Sequence, residues 1–237
     1  MLAQAQLDQF HRDGFAVVRQ VVGGDELELL RLAADRVEAD GISGRGEHHY
    51  HSLAGGTQLY YRSDQVWEHD PIFAATTAHP GLLAAVGQCL GHPFLPVAAS
   101  FLCSQRFGKF PRTWHQAPPY GDRRRHTFAL AHFAAGLCLD PVTTENGCFW
   151  ALPGHHLAGH LNLEFGDEEE LYTRARPLEM AAGDLLLLAP SAPRASRGNA
   201  SPRTWRLLLL HYLARPVLEQ VYPEWQTEGG GFGPQGL

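Results

Sequence analysis

The sequence predicts a mainly β protein, a jelly roll backed by N-terminal helices, and three observations predict it. The first third of the chain carries helical spacing of apolar residues. From about residue 94 onward, short apolar runs alternate with turn residues. The longest of those runs, "LLLLAP" and "LLLLHYL", fall far short of the roughly 20 residues that cross a bilayer, so they read as buried strands. At 237 residues and 44% hydrophobic content the chain can bury a sizeable core. One domain over 1–237 is expected, with a helical part over about 1–92, a jelly-roll core over about 93–216 and a flexible glycine-rich tail over about 226–237.

The elements follow in order. Residues 2–13 set Leu7 and Phe10 on one helical face, with Gly14 as the stop. "FAVVRQVV" then reads as a strand. Residues 25–40 form a second helix through Leu27, Leu30, Ala34 and Val37, with Asp25 as the N-cap and Gly41 as the stop. "EHHYH" at 47–51 resembles a metal box, but adjacent histidines between glycines read as a mobile surface loop. Two more helices are expected at 71–78 and 80–90, the second opened by Pro80, whose missing donor costs nothing in a first turn. Strands are expected in "FLPVAASFL", across 127–139, and in "CFWALP", "DLLLLAP" and "RTWRLLLLHYL". Curling these into a closed antiparallel arrangement removes exposed edges.

The formal charge of −6 argues against nucleic acid or an acidic membrane as partner, and "DRRRH" at 122–126 is too short to reverse that. Four dispersed cysteines without CxxC spacing, and no charged-then-apolar leader, fit a reduced cytoplasm. The expected partner is a small molecule, and nothing in the pattern fixes an oligomeric state.

The segments "LDQFHRDGFAVVRQVV", "WHQ", "LD…ENGCFWALPGHH" and "GDLLLLAP…GNASPRTWRLLLLHY" occur in this order over most of the chain. Together they resemble the phytanoyl-CoA dioxygenase family. The resemblance implies a double-stranded β-helix, a cupin-like jelly roll, and the chemistry of iron(II)- and 2-oxoglutarate-dependent oxygenases. Their iron is held by an HxD pair and a distant second histidine, and a late-strand arginine takes the 2-oxoglutarate carboxylate. His115 matches the first histidine. Ala117 stands where the carboxylate is expected, and Arg194, in "RASRGNAS", where the second histidine is expected. Arg206, or else Arg203, matches the 2-oxoglutarate arginine, while Asn199 and Ser201 keep the motif's turn.

With two of three ligands replaced, the expectation is no metal ligand and no cofactor, because a guanidinium is always charged and cannot coordinate. The alternative keeps iron(II) and 2-oxoglutarate, with substitute ligands among His126, His132, His155, His156 and His160. Arg194 with Arg206 would convert a cation site into an anion site. His115 would serve as general acid or base with a pKa near working pH. His132, in step with the small residues Ala134 and Gly136, is a further catalytic candidate. Trp114, Ala117, Tyr120, Tyr61 and Arg62 are candidate substrate contacts, and Trp114, Tyr120, Phe133 and Trp150 would give the pocket an aromatic lining for an apolar molecule with one anionic group. The favoured function is a metal-independent isomerase, cyclase or lyase on this fold. The alternatives are an iron/2-oxoglutarate oxygenase with substitute ligands and a non-catalytic ligand-binding or scaffold protein.

Overall fold

Strand pairing organises the molecule, and the helices cover one face of it. The computed structural model describes residues 2–116, 132–158 and 167–215. A seven-stranded antiparallel sheet is built from β1 (Phe15–Val18), β2 (His49–Ser52), β3 (Gln58–Asp64), β4 (Phe94–Ser104), β6 (His132–Cys138), β9 (Leu185–Leu188) and β11 (Trp205–Ala214), in the order β1-β9-β6-β11-β4-β3-β2. A smaller sheet, ordered β5-β10-β7-β8, contains β5 (Arg112–His115), β7 (Phe149–Ala151), β8 (Arg176–Pro177) and β10 (Arg194–Ser196). The two sheets form the jelly roll that the turn-punctuated apolar runs predict.

Sequence pattern explains the order. β9 is an unbroken run of four leucines, all buried, as a strand covered on both faces requires. β11 alternates: Leu207 and Leu209 line the space between the sheets, while Tyr212 on the other face donates its hydroxyl to the Thr77 carbonyl at 2.9 Å. That second face is covered by α1 (Gln4–Asp13), α2 (Gly24–Ser43), α3 (Pro71–Thr77) and α4 (Pro80–Leu90), close to the expected helices, and α5 (Glu168–Arg174) lies later in the chain.

Three local expectations are corrected. α2 does not stop at Gly41 but runs to Ser43, where Gly44 caps it with φ of 73°. Gly41 is needed for another reason: a Cβ there would come within 2.4 Å of the Tyr60 ring. Asp25 is not the N-cap; it sits in the first turn of α2, where its charge complements the helix dipole. "EHHYH" is not a loose loop either. His49–Ser52 is β2, and the histidines find partners on β3, with His48 Nδ1 2.7 Å from Ser63 Oγ and His49 Nε2 2.8 Å from Asp64 Oδ2. The tail at 226–237 lies outside the described residues, as do Ala117, Tyr120, His126 and His160. Among the described residues no helix is long and apolar enough to cross a membrane.

Candidate functional site

The site forms where β5 meets β10. Arg194 pairs with His115 and Ser196 with Arg112, so four residues of β5 face three of β10. The extra residue is a bulge, and bulges re-aim side chains. Here it brings Arg112 and His115 to the same side, which strict alternation would forbid, and that side is also occupied by Arg194. Trp114 and Ala195 point the other way, into a separate cluster with Leu152 and Tyr172.

Two cavities lie on the inner side. The deeper, about 30 Å³, is walled by Ala134, Gly136, Leu186, Leu188, Leu207 and Leu209 around the Arg194 side chain, with room for a group the size of about two or three water molecules. The outer, also about 30 Å³, is bounded by Arg112, Ser196, Trp205 and a ring stack in which His51 lies between Tyr61 (3.9 Å) and Phe110 (3.7 Å). Leu102 and Phe149 wall both.

The electrostatics are unusual for a protein interior. Arg194 Nη1 donates to the carbonyls of Pro190 (3.3 Å) and Ala192 (3.2 Å), and the Arg112 guanidinium lies 5.3 Å from the Tyr61 ring centre. Neither forms an ion pair among the described residues. Burial, and then Arg112, lower the pKa of Arg194 to about 10, and burial also lowers that of Arg112, so both remain cations at neutral pH. Burial, followed by Arg194, lowers the His115 pKa to about 4. Its Nδ1 lies 2.8 Å from the Thr113 carbonyl, which can only accept, so Nδ1 carries the hydrogen and Nε2 presents a bare lone pair. This corrects the expectation of an imidazole titrating near working pH: His115 is neutral, and a guanidinium on the facing strand weakens it as a base.

The other predicted residues are placed as follows. Arg206 does not reach the cavity, because it alternates with the inward Trp205 and Leu207. Its Nε donates to Asp140 at 2.7 Å, and its Nη1 pairs with Asp35 on α2. Arg203 reaches toward Glu145 at 3.4 Å on the exterior. Arg62 is engaged by Asp64 (2.6 Å) and Ser100 (3.3 Å). Tyr61 lines the outer cavity. Trp114 packs behind the site, as does Trp150 against Tyr172, and Phe133 faces Phe10 of α1; the deeper cavity is walled mainly by leucine, and the aromatics of the outer one are Tyr61, Phe110, Phe149 and Trp205. His132 opens β6 opposite Leu213, and its side chain lies outside the description. Ala117 and Tyr120 are not described. Arg112 is the residue that sequence reasoning misses: the sole signal is an arginine three positions before His115, and the bulge that aims it inward leaves no mark in composition.

Comparison with known proteins follows the geometry. The family model described as phytanoyl-CoA dioxygenase (PhyH) matches residues 10–207. The rice (Oryza sativa subsp. japonica) protein "Phytanoyl-CoA dioxygenase 1" is 29% identical over 99 residues, which cover 38% of this chain and 35% of that protein, so the match spans about a third of the relative's length. Among solved structures, the epimerase SnoN in complex with Fe3+, alpha ketoglutarate and nogalamycin RO is 17% identical, covers 89% of this chain and 83% of its own, and superposes with a TM-score of 0.74. HygX from Streptomyces hygroscopicus, with nickel and 2-oxoglutarate bound, is 19% identical over 91% of this chain and 88% of its own, with a TM-score of 0.72. Identities this low establish the shared fold.

These findings correct the expectation of a cofactor-free protein: the family and its neighbours imply iron and 2-oxoglutarate. The described residues fit the two groups unequally. Arg112 and Arg194 fit a carboxylate of the kind 2-oxoglutarate carries. They do not fit an iron ion: His115 is faced by a guanidinium, and no group of three His, Cys, Asp or Glu that could hold a metal occurs among the described residues. The jelly roll, the "WHQ" strand facing the "RASRGNAS" strand, and the match over residues 10–207 lead to one conclusion, that this chain belongs to the phytanoyl-CoA dioxygenase family.

Proposed function

We propose that this chain is a small-molecule enzyme that binds a carboxylate-bearing substrate between Arg112 and Arg194 and moves a proton through His115, in a reaction of isomerase, cyclase or lyase type. The observation that carries this reading is the pair of inward guanidiniums without carboxylate partners among the described residues, beside a neutral imidazole.

The chemistry follows from charge. A substrate carboxylate accepts charge-assisted hydrogen bonds from the guanidiniums and compensates the cations that weaken His115. Its Nε2 lone pair therefore gains proton affinity as the substrate binds. Nε2 removes a proton from the carbon next to the carboxylate, and the enolate that develops is held by the same guanidiniums. Return of the proton to the other face gives an isomer; expulsion of a group from the neighbouring carbon, which takes the proton back from Nε2, gives an alkene, and attack of the carbanion on a carbonyl carbon of the same molecule closes a ring as the carbonyl oxygen takes that proton. SnoN, an epimerase on this fold, supports an isomerising outcome only, since it is described as alpha ketoglutarate dependent and its structure holds Fe3+ and alpha ketoglutarate. The test is to screen small carboxylic acids by the melting-temperature shift they cause, then follow solvent deuterium entering the α-carbon by NMR. Exchange that requires His115 is the expected result; exchange undiminished in His115→Gln overturns the reading.

A second reading is favoured by the family's cofactors: a 2-oxoglutarate-dependent oxygenase, in which Arg112 or Arg194 holds a carboxylate of 2-oxoglutarate and iron supplies the oxidising chemistry. Anaerobic addition of iron(II) and 2-oxoglutarate followed by oxygen separates the two, since succinate release abolished by a chelator supports the oxygenase alone.

A further inference from the structure

We infer that the ligand of the Arg112–Arg194 pair is a compact dianion, a phosphate monoester or a geminal dicarboxylate, a refinement that rests on the anion-binding reading above. The first argument is charge balance. Two half-buried guanidiniums share one side of the β5–β10 pair, and no carboxylate among the described residues compensates either. An unpaired charge away from water is costly, so one monocarboxylate would leave a cation exposed to that cost. A dianion compensates both.

The second argument is reach. Arg194 and Arg112 stand on adjacent strands, near enough for the charge of Arg112 to act on Arg194, and their long side chains line two cavities that share Leu102 and Phe149, so both can reach one small group between them. Two forks can each take two oxygens, which a phosphate or two carboxylates on one carbon supply. The third argument is space. The cavity around Arg194 is about 30 Å³ and walled by leucines, so it does not take the extended chain of a molecule whose carboxylates sit at opposite ends. Both charges must lie in one compact head, with any further part of the molecule directed to the outer cavity beside Tyr61 and Phe110.

The experiment is calorimetric titration of the full chain with four probes: inorganic phosphate, malonate, acetate and 2-oxoglutarate. Phosphate or malonate is expected to bind at least about tenfold more tightly than acetate or 2-oxoglutarate, a preference of about 1.4 kcal/mol, and which of the two leads identifies the source of the dianion. Arg112→Gln and Arg194→Gln should each abolish the preference, with Arg112→Lys and Arg194→Lys retaining part of it should the glutamine variants not fold. Acetate binding as tightly as malonate and phosphate would overturn the dianion while leaving the carboxylate reading intact. Preference for 2-oxoglutarate would overturn it in favour of the family's cofactor. No binding by any probe would overturn both readings.

Discussion

Arg206 and Arg194 stand on opposite faces of the jelly-roll wall and meet opposite surroundings. Arg206 faces the helices. Its Nε and Nη2 grip both oxygens of Asp140 at 2.7 and 3.1 Å, Nη1 pairs with Asp35, and Glu38 lies 3.6 Å away. Burial opposes its charge, yet Asp140 and Asp35 reverse that effect and hold it protonated above the usual arginine range. Arg194 faces the cavity, is held by two carbonyls and has Arg112 as its charged neighbour. The same side chain is therefore a clamp in one place and, on the reading proposed above, a receptor in the other. A guanidinium compensated inside the protein contributes to the fold, and one left uncompensated is complete only with a ligand. Homology alone makes Arg206 the anion receptor; its pairing with Asp140 and Asp35 argues against that role, which the reading proposed above gives to Arg194.

The largest effect is expected at the receptor face: His115→Gln should slow α-proton exchange by roughly 10²–10⁴-fold with the melting temperature unchanged, measured by NMR exchange rates on both proteins. On the clamp face, Arg206→Ala leaves Asp140 and Glu38 half-buried without their cation and should destabilise the fold by about 3 kcal/mol, read from urea unfolding. A fully stable variant would show that the network does not tie α2 to β11. Arg194→Ala should act in the reverse sense, weakening phosphate or malonate binding by about 1.5–3 kcal/mol while stability stays level or rises, since repulsion from Arg112 is relieved. Loss of stability comparable to that of Arg206→Ala would make the two arginines equivalent and remove the contrast.

The smallest effect is a pH dependence. The His115 pKa is about 4 in the folded chain, below the ordinary imidazole value of about 6.5 expected when unfolded. Between those values the unfolded chain binds more protons, so stability should fall as pH drops from about 6.5 to about 4 and His115 should add no further loss below that. Denaturant midpoints of the wild type and His115→Gln across this window should differ in slope, and a saturating anion should make the wild-type loss smaller by raising the folded-state pKa toward the unfolded value.

Much of this molecule is legible from its amino-acid sequence, and the reason is periodicity. α1, α3 and α4 follow from apolar spacing and from Pro80 and Gly14, and β9 and β11 from leucine runs, because local pattern decides which face is buried. β2 was not legible: its histidines carry no apolar alternation, and it exists because β3 offers Asp64 and Ser63 as partners. Of the site, His115 and Arg194 could be placed on facing strands by motif. Their pairing with Arg112 could not, since it depends on one extra residue in β5, and Trp114 was misread because its neighbour's inward aim sends it outward. Fold class, family and the residues at the motif positions can be read from spacing and order along the chain. Tertiary structure alone decided which arginine is compensated, what burial and a facing charge do to His115, and which side chains line the cavity, because each depends on groups far apart in sequence and adjacent only after the sheets close.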